Sequence, residues 1–200
     1  MRLIPIGPAA VLVGLAPEDG SPVLLAQWVR DHLEVDEVVP AATTVLLDGL
    51  RSGPVDAPGL EAVLSGWTPE QAHLGSLVQV EAAFDGPDLA EVASYAGLST
   101  NDVVDLIAAT ELTAAFCGFA PGFSYLTGLP ERLRVPRRAT PRTRVAAGSV
   151  AIAGEYAGIY PTASPGGWQL LGHTDAVLFD VDRPEPALLP PGTRVRFVPR

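Results

Sequence analysis

The first seventy residues alternate between strand-like and helix-like patterns. LIPIG and AVLVGL read as two short strands, and SPVLLAQWVRDHL reads as a helix with Ser21 at its N-cap and Pro22 at its first position. VDEVVP and TTVLLDGL are rich in β-branched residues, which favours strands, and PGLEAVLSG predicts a short helix. These elements predict a small α+β domain over residues 1–75, ending in a polar linker around WTPEQAHLG.

From residue 76 onward the pattern becomes mainly that of short strands. SLVQVEAAF alternates as a strand does, and two helices follow, each with a predicted capping box: Asp88 with Glu91, and Ser99 with Asp102. Six further strands are predicted between Gly and Pro residues, at LTAAFCGF, GSVAIAG, EYAGIYP, WQLLG, AVLFDV and TRVRFVP. Short strands with few helices indicate a closed or nearly closed β-barrel over residues 76–200, so the predicted fold class is α+β.

Charge is distributed unevenly along this pattern. The formal net charge is −10, yet RLRVPRRATPRTR, residues 132–144, holds six of the 13 basic residues, all of them arginine. Residues 1–131 carry 3 Arg against 18 acids, net −15, whereas residues 132–200 carry 10 Arg against 5 acids, net +5. The chain contains no lysine, which excludes a lysine Schiff base and a Walker P-loop. Any phosphate would have to be bound by arginines and backbone amides.

The composition restricts the compartment and the chemistry. Hydrophobic residues make up 48% of the 200, enough for a packed core. The N-terminus lacks the pattern of a signal peptide, and no apolar run reaches the ~18 residues of a membrane span, so we expect a soluble cytoplasmic protein without membrane association. Cys117 is the single cysteine of the sequence, so an internal disulfide is excluded, and we expect it to be a small buried hydrophobic residue. The three histidines, His32, His73 and His173, are far apart, so no metal site is predicted.

The segment LAEVASYAGLSTNDVVDLI imitates a DNA-binding helix-turn-helix. No basic residue lies between Arg51 and Arg132, and the two predicted helices carry only acidic charge. Because DNA affinity comes largely from Lys and Arg that neutralise phosphates, these helices would repel a duplex. We therefore predict no nucleic-acid binding and expect the helical pair to pack its apolar face on the barrel.

Two of three segments that could carry chemistry stand next to each other in the sequence. GFAPGFSYLTGLP, residues 118–130, places Pro121 and Gly122 between aromatic residues, and such a loop can present amides to an anion or be an ordinary hairpin. In the arginine run, Pro136 and Pro141 forbid a regular helix, so we expect an extended path in which two or three arginines form an anion clamp. The alternative is a solvated basic loop.

The third segment is YPTASPGGWQLLGHTD, residues 160–175. Gly166 and Gly167 could bare several N–H groups to an oxyanion or phosphate, and Trp168 could supply an apolar wall. His173 with Asp175 could serve acid-base chemistry or only hydrogen-bond locally. A serine hydrolase is disfavoured because G-F-S-Y-L lacks the final Gly of the G-x-S-x-G elbow.

Taken together, four motifs resemble the family of 5-oxoprolinase B subunits, also called allophanate hydrolase subunit 1: DGPDLAEVASYAGLS, GFAPGFSYL, PRRATPRTRVAAGSV and GIYPTASPGGWQLLGHT. They occur in order with matching spacing from about Phe84 to Asp180, and the likeness is only general over residues 1–75. The resemblance implies an α+β N-terminal domain and a cyclophilin-like β-barrel domain containing the two helices. Related sequence forms half of the carboxyltransferase domain of urea carboxylase.

The resemblance implies one component of a hetero-oligomeric enzyme, inactive alone. Its expected function is that of the B subunit of an ATP-dependent 5-oxoprolinase, which acts with the C subunit to phosphorylate 5-oxoproline before the A subunit completes hydrolysis to glutamate. ATP would bind together with the partner subunit. Two alternatives stay open: a regulatory protein that binds and inhibits a histidine kinase, as one branch of the family does, and a subunit of a urea- and allophanate-degrading carboxylase-hydrolase system.

In this reading His173 is the proton carrier of the site. The residues expected to bind substrate or phosphate are Pro121, Gly122, Arg137, Arg138, Arg142, Ser149, Ser164, Gly166 and Gly167. Two positions depart from the family pattern: Ile107 stands where a histidine is common, and Leu112 stands where a tyrosine is usual.

Overall fold

The computed structural model describes residues 1–51, 57–69 and 75–200. The chain divides into two compact units, Met1–Gly75 and Ser76–Arg200. No helix in the described ranges is long and apolar enough to cross a membrane.

The first unit is an antiparallel sheet covered on one face by helices. Its elements are β1 (Arg2–Pro5), β2 (Ala10–Gly14), α1 (Pro22–His32), β3 (Glu37–Pro40), β4 (Thr44–Asp48) and α2 (Ala57–Leu64). The strand order is β1-β2-β4-β3. Alternate residues of β2 and β4 point into the core, where Val13 and Val45 meet Leu25 of α1. Ser21 stands at the N-cap of α1 as predicted, but its hydroxyl makes no capping bond.

The second unit is dominated by a seven-stranded sheet with two helices. Its elements are β5 (Leu77–Ala82), α3 (Leu89–Ala96), α4 (Thr100–Ala109), β6 (Leu112–Cys117), β7 (Ser124–Thr127), β8 (Arg142–Val145), β9 (Ser149–Ala153), β10 (Tyr156–Ile159), β11 (Ser164–Gly166), β12 (Gln169–His173) and β13 (Arg194–Pro199). The sheet order is β12-β9-β10-β7-β6-β13-β5, and β8 and β11 form a separate two-stranded ribbon.

The large sheet curls until its two edge strands approach each other. Directly beyond β5, Ala83 forms an antiparallel bridge with His173 at the end of β12, with two N to O distances of 2.8 Å. This bridge makes the sheet a nearly closed barrel and confirms the predicted α+β fold class. The interior is filled by large apolar side chains such as Leu126, Ile152 and Phe197, and α3 and α4 pack against the barrel through residues that include Val103.

Most predicted elements are present, and the errors have physical causes. The capping box of Ser99 and Asp102 is confirmed. The predicted box of Asp88 is wrong, because the Asp88 carboxylate accepts hydrogen bonds from outside the helix instead. The predicted strand AVLFDV is wrong as well, because only Phe179 bridges another segment. Part of the predicted linker, residues 70–74, lies outside the described residues.

Candidate functional site

A cleft of about 510 Å³ opens on the barrel beside the β8–β11 ribbon. Each of the three segments singled out in the sequence contributes to its lining: Phe123 from the first, Arg137 from the second and Gly166 from the third. Its walls are mainly aromatic, formed by Phe119, Phe123, Tyr125, Tyr156, Tyr160 and Trp168. A concave, mostly apolar cavity with a few polar groups is the usual form of a small-molecule site.

Phe123 is the centre of the aromatic wall. Its ring makes edge contacts with Phe119, Tyr125, Tyr160 and Trp168 at centroid distances of 5.1 to 5.5 Å. Such edge-to-face pairs each stabilise packing by roughly 0.5–1.5 kcal/mol beyond area burial. The wall is therefore a rigid surface formed before any ligand binds.

Phe119 stands at the mouth of the cleft in an unusual backbone conformation. Its φ is 70°, and 61% of the residue is exposed. For an L-residue this left-handed region costs about 1–2 kcal/mol. Two hydrogen bonds hold the loop in place, from the Ala120 N–H to the Gly118 carbonyl and from the Phe123 N–H to the Ala120 carbonyl. The loop thus holds an aromatic ring in solvent at the entrance.

Arg137 is the cation in the lining of this cleft. Among the described residues its guanidinium has no hydrogen-bond or ion-pair partner. The neighbouring Arg138 N–H donates to the Gly167 carbonyl at 2.8 Å, which fixes the arginine segment against the third loop. An unpaired guanidinium beside an apolar cavity can form a bidentate pair with a carboxylate or phosphate.

Two other arginines converge on a buried carboxylate rather than on the cleft. Asp88 is 2% exposed and accepts hydrogen bonds from Arg138 Nη1 at 2.9 Å, Arg142 Nη2 at 2.6 Å and the Leu170 N–H at 2.7 Å. Glu91 Oε2 lies 4.0 Å from Arg138 Nη1, so two cations meet two carboxylates in this group. Arg138 Nε and Arg142 Nη1 are buried without a hydrogen-bond partner. The group therefore positions the arginine segment.

The rest of the arginine run is used locally. Arg132 donates to the carbonyls of Ala96 and Gly97 at the end of α3, where a cation also matches the helix dipole. Arg134 donates to the Leu129 carbonyl. Arg144 is exposed on β8. The predicted clamp of two or three arginines in one cavity is thus reduced to Arg137 in the cleft lining.

The hydroxyls of Tyr156 and Tyr160 in the cleft stay protonated at neutral pH. Burial raises the pKa of Tyr160, although a hydrogen bond with the Trp168 backbone and the nearby Arg137 and Arg142 oppose the shift. Burial and the neighbouring Glu155 raise the pKa of Tyr156 to about 12. Both hydroxyls can donate a hydrogen bond but are poor bases.

Several predicted site residues serve the framework of the cleft. Gly166 lines the cleft, and a Cβ there would overlap the Tyr160 hydroxyl. Gly122 has φ +82° and packs closely on Leu178 and Phe179. Pro121 is exposed.

The two predicted serines lie in the barrel and the ribbon and are not part of the cleft lining. Ser149 is a buried residue of β9 whose register partner is His173. The Ser164 hydroxyl oxygen on β11 is buried without a hydrogen-bond partner, and Ser164 is paired in register with Val145.

His173 lies outside the cleft lining. Its Nδ1 is 2.9 Å from Asp85 Oδ1, with 47% of the histidine side chain exposed. Asp175, the partner suggested by the sequence, pairs instead with Arg200 at 2.6 Å. The pairing of His173 with Asp175 is therefore wrong, since Asp175 lies beyond the end of β12. A role for His173 in proton transfer stays a prediction.

Other chemistry-bearing residues have structural surroundings. Cys117 is exposed, against expectation, but its sulfur faces the Ser124 hydroxyl at 3.4 Å, and burial of the thiol raises its pKa. Ile107 and Leu112, the two departures from the family pattern, are fully buried in the barrel core. Within the described ranges no group of three or more His, Cys, Asp or Glu is placed to hold a metal ion.

Tyr156 is a cleft residue that the sequence did not suggest, because it lies in β10, a segment that reads only as a strand. Tyr160 begins the third segment, but its place in the cleft lining was not predicted. Tyr125 stacks on Phe116 and contacts Tyr156 edge to face, which joins β7 to β10. In the sequence, the aromatic residues of GFAPGFSY indicated part of this aromatic wall. The pairing of β10 with β7 brings Tyr156 beside them, and local sequence does not show that pairing.

Comparisons with known proteins agree on one family. The family model described as carboxyltransferase domain, subdomain C and D, matches residues 1–189. The chain is 44% identical to the B subunit of 5-oxoprolinase from Escherichia coli O157:H7, covering 98% of this chain and 94% of that protein. This confirms the resemblance drawn from the four motifs.

Solved structures share the fold. The crystal structure of TTHA0988 matches 96% of this chain with a TM-score of 0.76 and 33% identity, and the matched region is 40% of that protein. Kluyveromyces lactis urea carboxylase matches 99% of this chain with a TM-score of 0.61 and 18% identity, over 21% of its own length. The Pyrococcus horikoshii protein PH0987 is matched over 97% of its own chain, with a TM-score of 0.60 and 31% identity, so the fold occurs both as a separate chain and as part of longer ones.

Proposed function

This chain belongs to the family of carboxyltransferase domains, subdomains C and D, and from that membership we propose that it is the B subunit of an ATP-dependent 5-oxoprolinase. The observation that carries the proposal is its 44% identity to a 5-oxoprolinase B subunit, along nearly the whole of both chains. The match to urea carboxylase is 18% identical and supports only a shared fold, so oxoproline is preferred over urea or allophanate.

The cleft suits a small ring that carries one negative charge. 5-Oxoproline is a flat lactam with a single carboxylate, and Arg137 is the unpaired cation of the cleft lining, among the residues that the structure describes. In this proposal Arg137 pairs with the carboxylate while Phe123 and Trp168 pack against the ring and exclude water. A protonated Tyr160 hydroxyl can donate to a ligand carbonyl.

ATP would supply the phosphoryl group that turns the unreactive lactam into a better electrophile. The unpaired Arg137 of the cleft lining provides only part of the charge that a triphosphate needs. We therefore place ATP at the junction with the C subunit, which would contribute further cationic or metal-binding groups. The chain alone would be inactive, and the A subunit would complete the ring opening. A cytoplasmic location is part of the same proposal.

The test is reconstitution with the C and A subunits from the same genome. Glutamate released from 5-oxoproline should depend on ATP and on all three chains. Replacing Arg137 with Gln should lower kcat/KM by roughly 10- to 100-fold, the loss of one charge-assisted pair. Arg144→Gln is the matched control, since Arg144 is exposed on β8, and should leave kcat/KM unchanged. No ATP-dependent glutamate release from the assembled wild-type complex would refute the proposal.

A further inference from the structure

An apolar ridge lies next to the cleft mouth on an extended segment, residues 177–181. Val177, Phe179 and Val181 are 54%, 37% and 75% exposed, whereas Leu178 between them is buried. Alternate side chains of extended backbone point to opposite faces, so the three exposed side chains share one face. The segment contacts the cleft loop where Phe179 packs on Gly122.

The backbone of this segment is paired on one edge and open on the other. The Leu178 carbonyl accepts from the Leu188 N–H, and the Asp180 N–H donates to the Pro186 carbonyl, both at 2.9 Å. Because the N–H groups of successive residues alternate in direction along extended backbone, those of Val177, Phe179 and Val181 should face the opposite edge. In the part of the chain that the structure describes, they have no hydrogen-bond partner.

The open edge is only lightly protected. Arg183 donates to the Val177 carbonyl at 3.1 Å and pairs with Asp180. Natural edge strands are normally covered, shortened or charged to prevent pairing with other chains. Here three exposed apolar side chains stand beside free backbone donors, which is the arrangement used when an extended segment of another chain adds as a strand.

We propose that residues 177–181 are the docking edge for an extended, apolar segment of the C subunit, flanked by basic residues, which pairs with this edge and completes the mouth of the cleft. This inference rests on the proposed function, which supplies the partner. Residues 175–185 contain four acids and one arginine, net −3, so a basic flank fits and a second copy of this chain would be repelled. In TTHA0988 the same fold is only 40% of a longer chain, consistent with a larger neighbour beside it.

Binding to the purified C subunit tests this surface. The double variant Val177→Glu, Val181→Glu should weaken C binding at least tenfold, because both side chains would lie in the new interface. Val39→Glu is the control, a 45% exposed strand valine in the other unit, and should bind C as the wild type does. Circular dichroism spectra and melting temperatures should match across the three proteins, since each substituted side chain is exposed.

Hydrogen exchange distinguishes strand addition from other contacts. Amides of Val177, Phe179 and Val181 should become protected in the complex, whereas the Asp180 amide is already bonded and should change little. Equal C binding by wild type and double variant, without new protection, would overturn the docking edge and leave the proposed function standing. A concentration-dependent homodimer that protects the same amides would also overturn it. Absence of both C binding and glutamate release in the wild type would refute the two proposals together.

Discussion

Replacing Asp88 with Asn tests whether the buried carboxylate holds the arginine segment in place. The substitution keeps the size of the side chain but removes the charge that two guanidiniums and the Leu170 N–H share. Removing one partner of a buried ion pair costs about 3–5 kcal/mol, because the other charge is left uncompensated. Since Asn retains one acceptor oxygen, we expect a loss near the lower limit, about 3 kcal/mol, in the free energy of unfolding.

A matched control separates burial from charge. Asp175 pairs with Arg200 at 2.6 Å, the same distance that joins Asp88 to Arg142, but its side chain is 78% exposed. Asp175→Asn should therefore cost no more than about 1 kcal/mol, as exposed pairs do.

The assay is urea unfolding followed by circular dichroism, with hydrogen exchange by peptide to assign the loss to residues 76–200. A double-mutant cycle with Arg142→Gln should give a coupling of about 0.5–3 kcal/mol, because the two side chains share one hydrogen bond. If Asp88→Asn lost no more stability than Asp175→Asn, the reasoning from burial would be refuted.

Three further predictions concern stability. Hydrogen bonds from the Ser99 hydroxyl and N–H hold the pKa of Asp102 below its usual 3.8, so its contribution is present above that value and lost as pH falls through the lower folded pKa. Between about pH 5 and pH 2 the melting temperature should therefore fall more for the wild type than for Asp102→Asn. Equal falls would contradict a stabilising role of the hydrogen bonds between Ser99 and Asp102. In urea unfolding, Gly122→Ala should lower the free energy of unfolding more than Gly154→Ala does. Both substitutions introduce strain at a positive φ, but only the Cβ at position 122 would meet Phe179 and Leu178. This overpacking should add a loss of about 1–3 kcal/mol. Ile107→His should lower the free energy of unfolding in urea by about 1–3 kcal/mol, since the imidazole would enter the apolar core. The substitution should not raise the activity of the complex. Unchanged stability with higher activity would show that this position reaches the site.

Local patterns in the sequence were sufficient for most helices and strands. The apolar alternation of β2, β4 and β9 and the capping box of α4 depend on residues within a few positions of each other. The strand predicted at AVLFDV shows the limit of this reasoning. Its alternation is real, with Leu178 buried and Val177 exposed, but a strand also needs a neighbouring chain, and within the described residues only the segment around Ala187 pairs with it.

The sequence by itself determined that arginine is concentrated in one segment, that glycine and aromatic residues flank it, and that the chain belongs to a known family. Only the tertiary structure decided which arginine faces the cleft. Asp88 is 50 and 54 residues away from Arg138 and Arg142, and no local pattern indicates that it would bind both. The reason is physical. A carboxylate buried by the barrel must be neutralised, so the guanidiniums within its reach are held there, whereas Arg137 makes no bond to it and lines the cleft.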